Sequence, residues 1–246
     1  MPKRLRQQRR GKGKLVFRAP SFHYRYKTQF RLYDNIEREE RIGGKVIELL
    51  HDASRTAPTM IIEYDDGRIA TVPAPYGMRV GDIVAAGAKA LVAIGNVLPL
   101  KSIPAGTQIF NVELAPGDGG KFVRTSGSSA EVVTKEGKTV LVKLPSKEFK
   151  RLDENCRAII GTVAGFGRKE MPIVKAGKHY FMTRARGKYW PNVCGVAMNA
   201  VNHPHGGKRR STQKSKKLTV SRNAPPGAKV GSIAARRTGI RKGTGE

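Results

Sequence analysis

The first 33 residues contain no acidic side chain, and residues 169–246 contain only two, Glu170 and Glu246. Facing those absences are eleven and eighteen lysines and arginines, while residues 34–168 hold eighteen against seventeen acids. Over 246 residues the chain carries 47 basic and 19 acidic side chains, a net charge of +28. Such a surplus implies a polyanionic partner. Its placement implies a near-neutral globular body flanked by two basic extensions, too polar to build a core and ordered only on that partner. Two cysteines, Cys156 and Cys194, are too few and too far apart for a disulfide framework, and they read as reduced, packed thiols without a chemical role. No apolar run is long enough to cross a bilayer, and the opening M-P-K-R-L-R-Q-Q-R-R has no apolar signal core behind its charges. No membrane partner is therefore expected, and the protein is expected to stay inside the cell. A mitochondrial transit peptide needs serine and an unbroken amphipathic helix, which Gly11, Gly13 and Pro20 interrupt.

What the N-terminal extension, residues 1–34, does contain is cations interleaved with rings. Arg9, Arg10, Lys12, Lys14, Arg18, Arg25 and Lys27 are mixed with Phe17, Phe22, His23, Tyr24, Tyr26 and Phe30. Guanidinium groups pair with phosphate and stack on bases, and tyrosine or phenylalanine stacks on unpaired bases, so the mixture suits structured RNA better than bare charge does. The C-terminal extension, residues 171–246, centres on C-G-V-A-M-N-A-V-N-H-P-H-G-G-K-R-R, Cys194 to Arg210. Pro204 fixes φ between His203 and His205, Gly206 and Gly207 reach conformations closed to other residues, and Lys208, Arg209 and Arg210 add charge. This is a shaped loop suited to close approach by phosphate. Behind it, Lys214, Lys216, Lys217, Arg222, Arg236, Arg237, Arg241 and Lys242 are spread among Gly, Pro and Ser as further RNA contacts. Lys169 to Tyr180 reads as a short helix limited by Pro172 at its start and Gly177 at its end.

The body is mainly β. Lys45 to Leu50, Thr59 to Tyr64, Arg68 to Val72, Asp82 to Ala85 and Ala90 to Ile94 are short apolar stretches rich in Val and Ile, separated by Gly, Pro or Asp. Asp65-Asp66-Gly67 signals a hairpin. Five short strands make a small closed barrel the economical solution, because closure removes exposed edges, and residues 35–98 read as an OB-like, RNA-binding barrel. A second strand series follows over residues 99–170: Thr107 to Leu114, Ala130 to Thr134, Thr139 to Leu144 and Arg157 to Val163, with one helical turn at Lys147 to Leu152.

Within that series lies P-G-D-G-G-K-F-V-R-T-S-G, Pro116 to Gly127. A Walker loop needs Gly at position 115, which is Ala, and Ser or Thr at 122, which is Phe, so nucleotide hydrolysis is excluded. Main-chain N–H groups of the loop with Lys121 and Arg124 could meet an RNA backbone, and a purely structural loop explains the pattern equally well. A zinc site from His203, His205, Cys194 and Cys156 fits no common ligand spacing, and neither metal nor cofactor is expected.

Four separated stretches carry a family resemblance. G-N-V-L-P-L-K-S-I-P-A-G-T-Q-I-F-N-V-E-L from Gly95, the glycine-rich loop after it, E-N-C-R-A-I-I-G-T-V from Glu154, and G-V-A-M-N-x-V-x-H-P-H-G-G from Gly195 together resemble the universal ribosomal protein L-two family of the large subunit. The closing A-P-P-G-A-K-V-G-S-I-A-A-R-R-T-G is similar to the archaeal and eukaryotic branch. The resemblance implies an OB-fold followed by an SH3-like barrel over 99–170, and a cytoplasmic protein with both ends threaded into large-subunit ribosomal RNA beside the peptidyl-transferase region. It also implies support of tRNA binding and of subunit association, with neighbouring ribosomal proteins and the small subunit, through a bridge, as partners. Family RNA-contact arginines fall on Arg68 and Arg124, and the histidine discussed in connection with peptide-bond formation falls on His203. On that last point two readings stand: a structural RNA-binding protein, with RNA carrying the chemistry, or direct participation of His203 as general base. The sequence departs from the family at Ala200, where proline is common, at Cys194, where a base is frequent, and at Asn202, where an acid is usual. His203 therefore lacks the neighbouring carboxylate that would orient or charge its ring.

Overall fold

Alternation of buried and exposed positions places the strands of the central body. The computed structural model describes residues 3–10, 12, 14–18, 20–23 (backbone alone at 23), 26–168, 170–207 and 219–235. Among them, three α-helices, α1 (Arg6–Arg10), α2 (Asn35–Glu39) and α3 (Ala176–Ala185), accompany a mainly β chain. By its internal contacts the chain forms two compact units, one of Pro20–Val174 and one of Met1–Ala19 with Lys175–Glu246. These limits differ from the pattern-based boundaries at residues 34/35 and 170/171.

The Pro20–Val174 unit carries one ten-stranded sheet in the order β3-β2-β1-β4-β5-β10-β6-β7-β8-β9. Its first half comprises β1 (Arg41–Leu50), β2 (Thr59–Tyr64), β3 (Ile69–Pro73), β4 (Ile83–Gly87) and β5 (Val97–Pro99). The second half comprises β6 (Gln108–Phe110), β7 (Ala130–Glu136), β8 (Thr139–Lys143), β9 (Phe149–Asp153) and β10 (Arg157–Ile160). Every pairing is antiparallel except β4 with β5. Two apolar cores result. One gathers Val46, Met60, Ile62, Val72, Val84, Val97, Phe110 and Ile159; the other gathers Leu98, Leu100, Ile103, Ile109, Val132, Val140, Val142, Leu152 and Ile160. Chain neighbours divide between them: Val97 from Leu98, Ile109 from Phe110, Ile159 from Ile160. Successive strand side chains point to opposite faces, so β5, β6 and β10 form a wall with a core on each side. The architecture is that of an OB-fold with an SH3-like barrel.

Several expected elements lie elsewhere. Ala90 to Ile94 is not a strand: Leu91, Val92 and Ile94 are exposed, and Asn96 closes the segment by donating to the Leu91 carbonyl at 2.9 Å and accepting from Ala85 N–H at 2.8 Å. The expected strand at Thr107 to Leu114 stops at Phe110, because Asn111 takes φ +49°. Lys147 to Leu152 is not a helical turn. Lys147 sits in the β8–β9 turn at φ +65°, and Phe149–Asp153 runs antiparallel to β8 with Leu152 buried opposite Val140. The helix expected at Lys169 to Tyr180 is instead α3; Gly177 lies in its first turn, and none of its side chains is buried. Lys169 is outside the described residues.

Residues 28–37 lock onto the sheet through charge. Arg157, 2% exposed, ion-pairs with Glu37 at 2.6 Å and Glu113 at 2.7 Å, donates to the Arg31 carbonyl at 2.8 Å, and lies over the rings of Phe30 and Tyr33. Burial pushes the Glu37 carboxyl up to about 7 even with Arg157 beside it. Arg31 pairs with Asp34 and with Asp66 at 2.7 Å, and its hydrogen bond holds Asp34 below its ordinary pKa.

Candidate nucleic-acid interface

In the unit formed by the two ends of the chain, the basic residues of Lys3 to Arg10 meet the loop that holds His203. Its strands β11 (Thr219–Val220) and β12 (Ser232–Ile233) pair in parallel. Lys3 N–H donates to the Val201 carbonyl at 2.8 Å, Arg6 donates to Asn192 Oδ1 at 3.2 Å, and the Arg6 guanidinium lies 4.1 Å from the centre of the Tyr189 ring. Phe17 packs against the same tyrosine at 6.1 Å between centroids. These contacts set α1 against the loop that leads into His203. Between them opens a cleft of about 860 Å³ whose cations are Lys3, Arg4, Arg6, Arg9 and Arg10, facing Asn192, Asn199, Asn202 and His203, with no acid among the described residues of its lining.

The histidine loop is built by two glycines. A Cβ at Gly195 would sit 2.7 Å from His203 Nε2 and nearer still to its Cε1 and Nδ1, and one at Gly206 would meet the carbonyls of Met198 and Asn199. Gly195 thus lets the Nδ1–Cε1–Nε2 side of the imidazole approach the main chain closely, and Gly206 lets the chain fold back on itself. His205 N–H donates to His203 Nδ1 at 3.0 Å, and the two rings stand 5.0 Å apart, edge to face. Burial, with His205 as a second cause, lowers the His203 pKa. A neutral ring that accepts at Nδ1 carries its proton on Nε2, so His203 offers a hydrogen-bond donor.

Other sequence-based candidates are spread over both units. In the terminal unit Arg9 and Arg10 lie exposed on α1, Lys12, Lys14 and Arg18 are exposed beyond it, Arg222 is exposed in a turn, and Gly207 takes φ +89°. Tyr24, Arg25, Lys208, Arg209, Arg210, Lys214, Lys216, Lys217, Arg236, Arg237, Arg241 and Lys242 lie outside the described residues, as does the His23 side chain. In the β unit Tyr26 and Lys27 are exposed. Arg68 is half-exposed and held by Asp34 at 3.3 Å and Asp66 at 3.4 Å. Arg124 is drawn inward, donating to the carbonyls of Gly120 at 3.0 Å and Thr28 at 3.2 Å, and burial lowers its pKa.

In the glycine-rich loop the amides have carboxylate partners of their own. Gly117 and Gly119 donate to Glu113, while Leu114, Ala115 and Gly120 donate to Asp118. Those N–H groups hold the loop's shape, which leaves the Lys121 side chain, 60% exposed and 3.2 Å from Asp118, as its outward cation. Cys156 is buried in a β core, with its thiol pushed up to about 12 by burial, and Cys194 is exposed in the terminal unit. Sequence reading missed the roles of Lys3, Arg4, Arg6, Asn192 and Asn199. The charge of the three cations was visible in the sequence, but the convergence of all five depends on contacts between residues nearly two hundred positions apart.

Two family models match the chain: Ribosomal Proteins L2, RNA binding N-terminal domain, over residues 3–86, and Ribosomal Proteins L2, C-terminal domain, over residues 93–227. The chain belongs to the ribosomal protein L2 family. It is 49% identical over 243 residues to the large ribosomal subunit protein uL2 of Methanocaldococcus jannaschii, covering 98% of this chain and 100% of that protein. The uL2 of Methanothermobacter thermautotrophicus is 49% identical over 242 residues, with the same coverage, and that of Haloarcula marismortui is 49% identical over 239 residues, 97% of this chain and 98% of that protein. Within this L2 chain, α1 falls in the segment matched as the RNA-binding domain, and the histidine loop in the segment matched as the C-terminal domain. Among the described residues no helix is long and apolar enough to cross a membrane, and no group of His, Cys, Asp and Glu could hold a metal ion.

Proposed function

We propose that this L2-family protein is a structural constituent of the large ribosomal subunit in the cytoplasm. It binds ribosomal RNA as a primary binding protein, stabilises RNA near the peptidyl-transferase centre, and supports subunit association and tRNA binding. Its further partners are neighbouring ribosomal proteins and, through a bridge, the small subunit. Residues 1–34 and 171–246 serve as RNA-binding extensions of the OB-like (35–98) and SH3-like (99–170) parts. The observation that carries this reading is the cationic cleft beside the histidine loop, which has no acid among the described residues of its lining and suits phosphate. Direct catalysis by His203 is poorly supported by the ring's own bonding: Nδ1 is engaged by the His205 amide, and Nε2 holds a proton to give rather than a lone pair to accept one. A crosslinking map on intact ribosomes tests the proposal. Adducts should fall on large-subunit ribosomal RNA; adducts on DNA or free messenger RNA would contradict it.

A further inference from the structure

Resting on that RNA-binding reading, we infer that the cleft between α1 and the Asn192–His203 loop is one binding site for a turn of RNA sugar-phosphate backbone, made by both ends of the chain together. The lining chemistry selects the ligand. Among the described residues, five cations and no acid line the cleft, and the only ring in the lining is His203. Single-stranded bases are held chiefly by stacking on aromatic faces, so a cleft with no Phe, Tyr or Trp among the described residues of its lining is built for phosphate and ribose rather than for a splayed base. Asn192, Asn199, Asn202 and Gln7 supply amide donors and acceptors that suit ribose hydroxyls, and the Nε2–H of His203 adds a donor for a phosphate oxygen. A volume of about 860 Å³ is far more than a lone anion fills and has room for about two linked nucleotides.

The cations divide their work. Arg6 is spent on the wall, with its guanidinium on Asn192 and over Tyr189. Lys3, Arg4, Arg9 and Arg10 form no ion pair among the described residues, so they are available to phosphate. The main-chain bond from Lys3 to Val201 ties the walls together, so the same RNA segment must be read by residues from both ends. Neither wall alone would make the site.

The test places a photo-reactive benzoylphenylalanine at Gln7 on one wall or at Asn199 on the other, in full-length chain assembled into large subunits. Both positions should form adducts with the same short run of consecutive nucleotides. Adducts on RNA segments from different helices would overturn the single site while leaving the RNA-binding reading intact, and adducts on protein at both positions would also overturn it. Failure of the full-length chain to bind large-subunit ribosomal RNA at all would sink both. A second measurement reads charge: Arg4→Ala with Arg9→Ala should reduce the slope of log affinity for that RNA against log salt by about 1.4–1.8, the loss of two phosphate contacts. An unchanged slope in the folded double variant would overturn the site.

Discussion

Arg157 joins three parts of the chain through one side chain: Glu37 from α2, Glu113 from the loop after β6, and the main chain at Arg31. A buried pair of this kind adds little over an apolar replacement of the whole cluster, but removing one partner leaves uncompensated charge. Arg157→Met should therefore destabilise the β unit by about 3–5 kcal/mol in urea unfolding, and a loss below about 1 kcal/mol would mean that water has replaced the guanidinium without penalty. Glu37 adds a pH signature. Its carboxyl binds a proton more tightly folded (about 7) than in the ordinary state (4.5), so its contribution is full below pH 4.5 and is lost as pH rises to about 7. Asp34 and Asp66, held below 3.8 with hydrogen bonds from Arg31 opposing desolvation, work in reverse: their contribution is lost as pH falls below 3.8. The difference between the parent chain and the E37Q variant should follow the first window, with the acid limb unchanged. If stability falls with pH as steeply in E37Q between 4.5 and 7, Glu37 is not the group responsible. Arg124 carries a related warning. Arg124→Ala removes hydrogen bonds that hold the loop to Thr28, so a loss of RNA affinity there has to be read beside an unfolding curve, whereas Arg68→Ala acts on a half-exposed side chain.

At the scale of elements, the glycine-rich loop is held by Glu113, Asp118 and close backbone contact. Gly120 takes φ +88°, and a Cβ there would lie 2.5 Å from Asn111 Oδ1, whereas Gly137 takes φ +56° with open space around it. Gly137→Ala should cost about 1–2 kcal/mol, the left-handed penalty alone, and Gly120→Ala clearly more, because steric displacement adds to the same strain. Equal losses in urea unfolding would show that the loop relaxes freely. The sequence was most legible where apolar residues alternate: β2, β7 and β8 lie close to where Val and Ile periodicity puts them. It misled where apolar side chains face solvent, as at Leu91, Val92 and Ile94, and where a short alternation was taken for a turn of helix, as at β9. In the site, the shaped H-P-H-G-G loop could be read from Pro and Gly, but the tautomer of His203 could not, since it depends on which amide reaches Nδ1.

Across the whole molecule, burial is unequal. Among the described residues, apolar side chains buried in the terminal unit are Leu5 and Val230, while those of the β unit fill two cores. Little apolar burial means local opening at low free energy, so limited proteolysis of free protein should cut the terminal unit first and leave a fragment bounded near Pro20 and Val174. Bound ribosomal RNA should slow those cuts, because ordering on the partner is then linked to binding. Equal resistance with and without RNA would show that the ends need no RNA to hold their fold. The most direct test of a scaffold rather than a catalyst is peptidyl transfer measured across pH in fully assembled particles carrying His203→Gln, which keeps a donor but has no titratable ring. The rate should stay near that of the parent particle with an unaltered pH profile; a fall of about 10²–10⁴ in intact particles, with one pKa gone from the profile, would make His203 a general base and contradict the structural role.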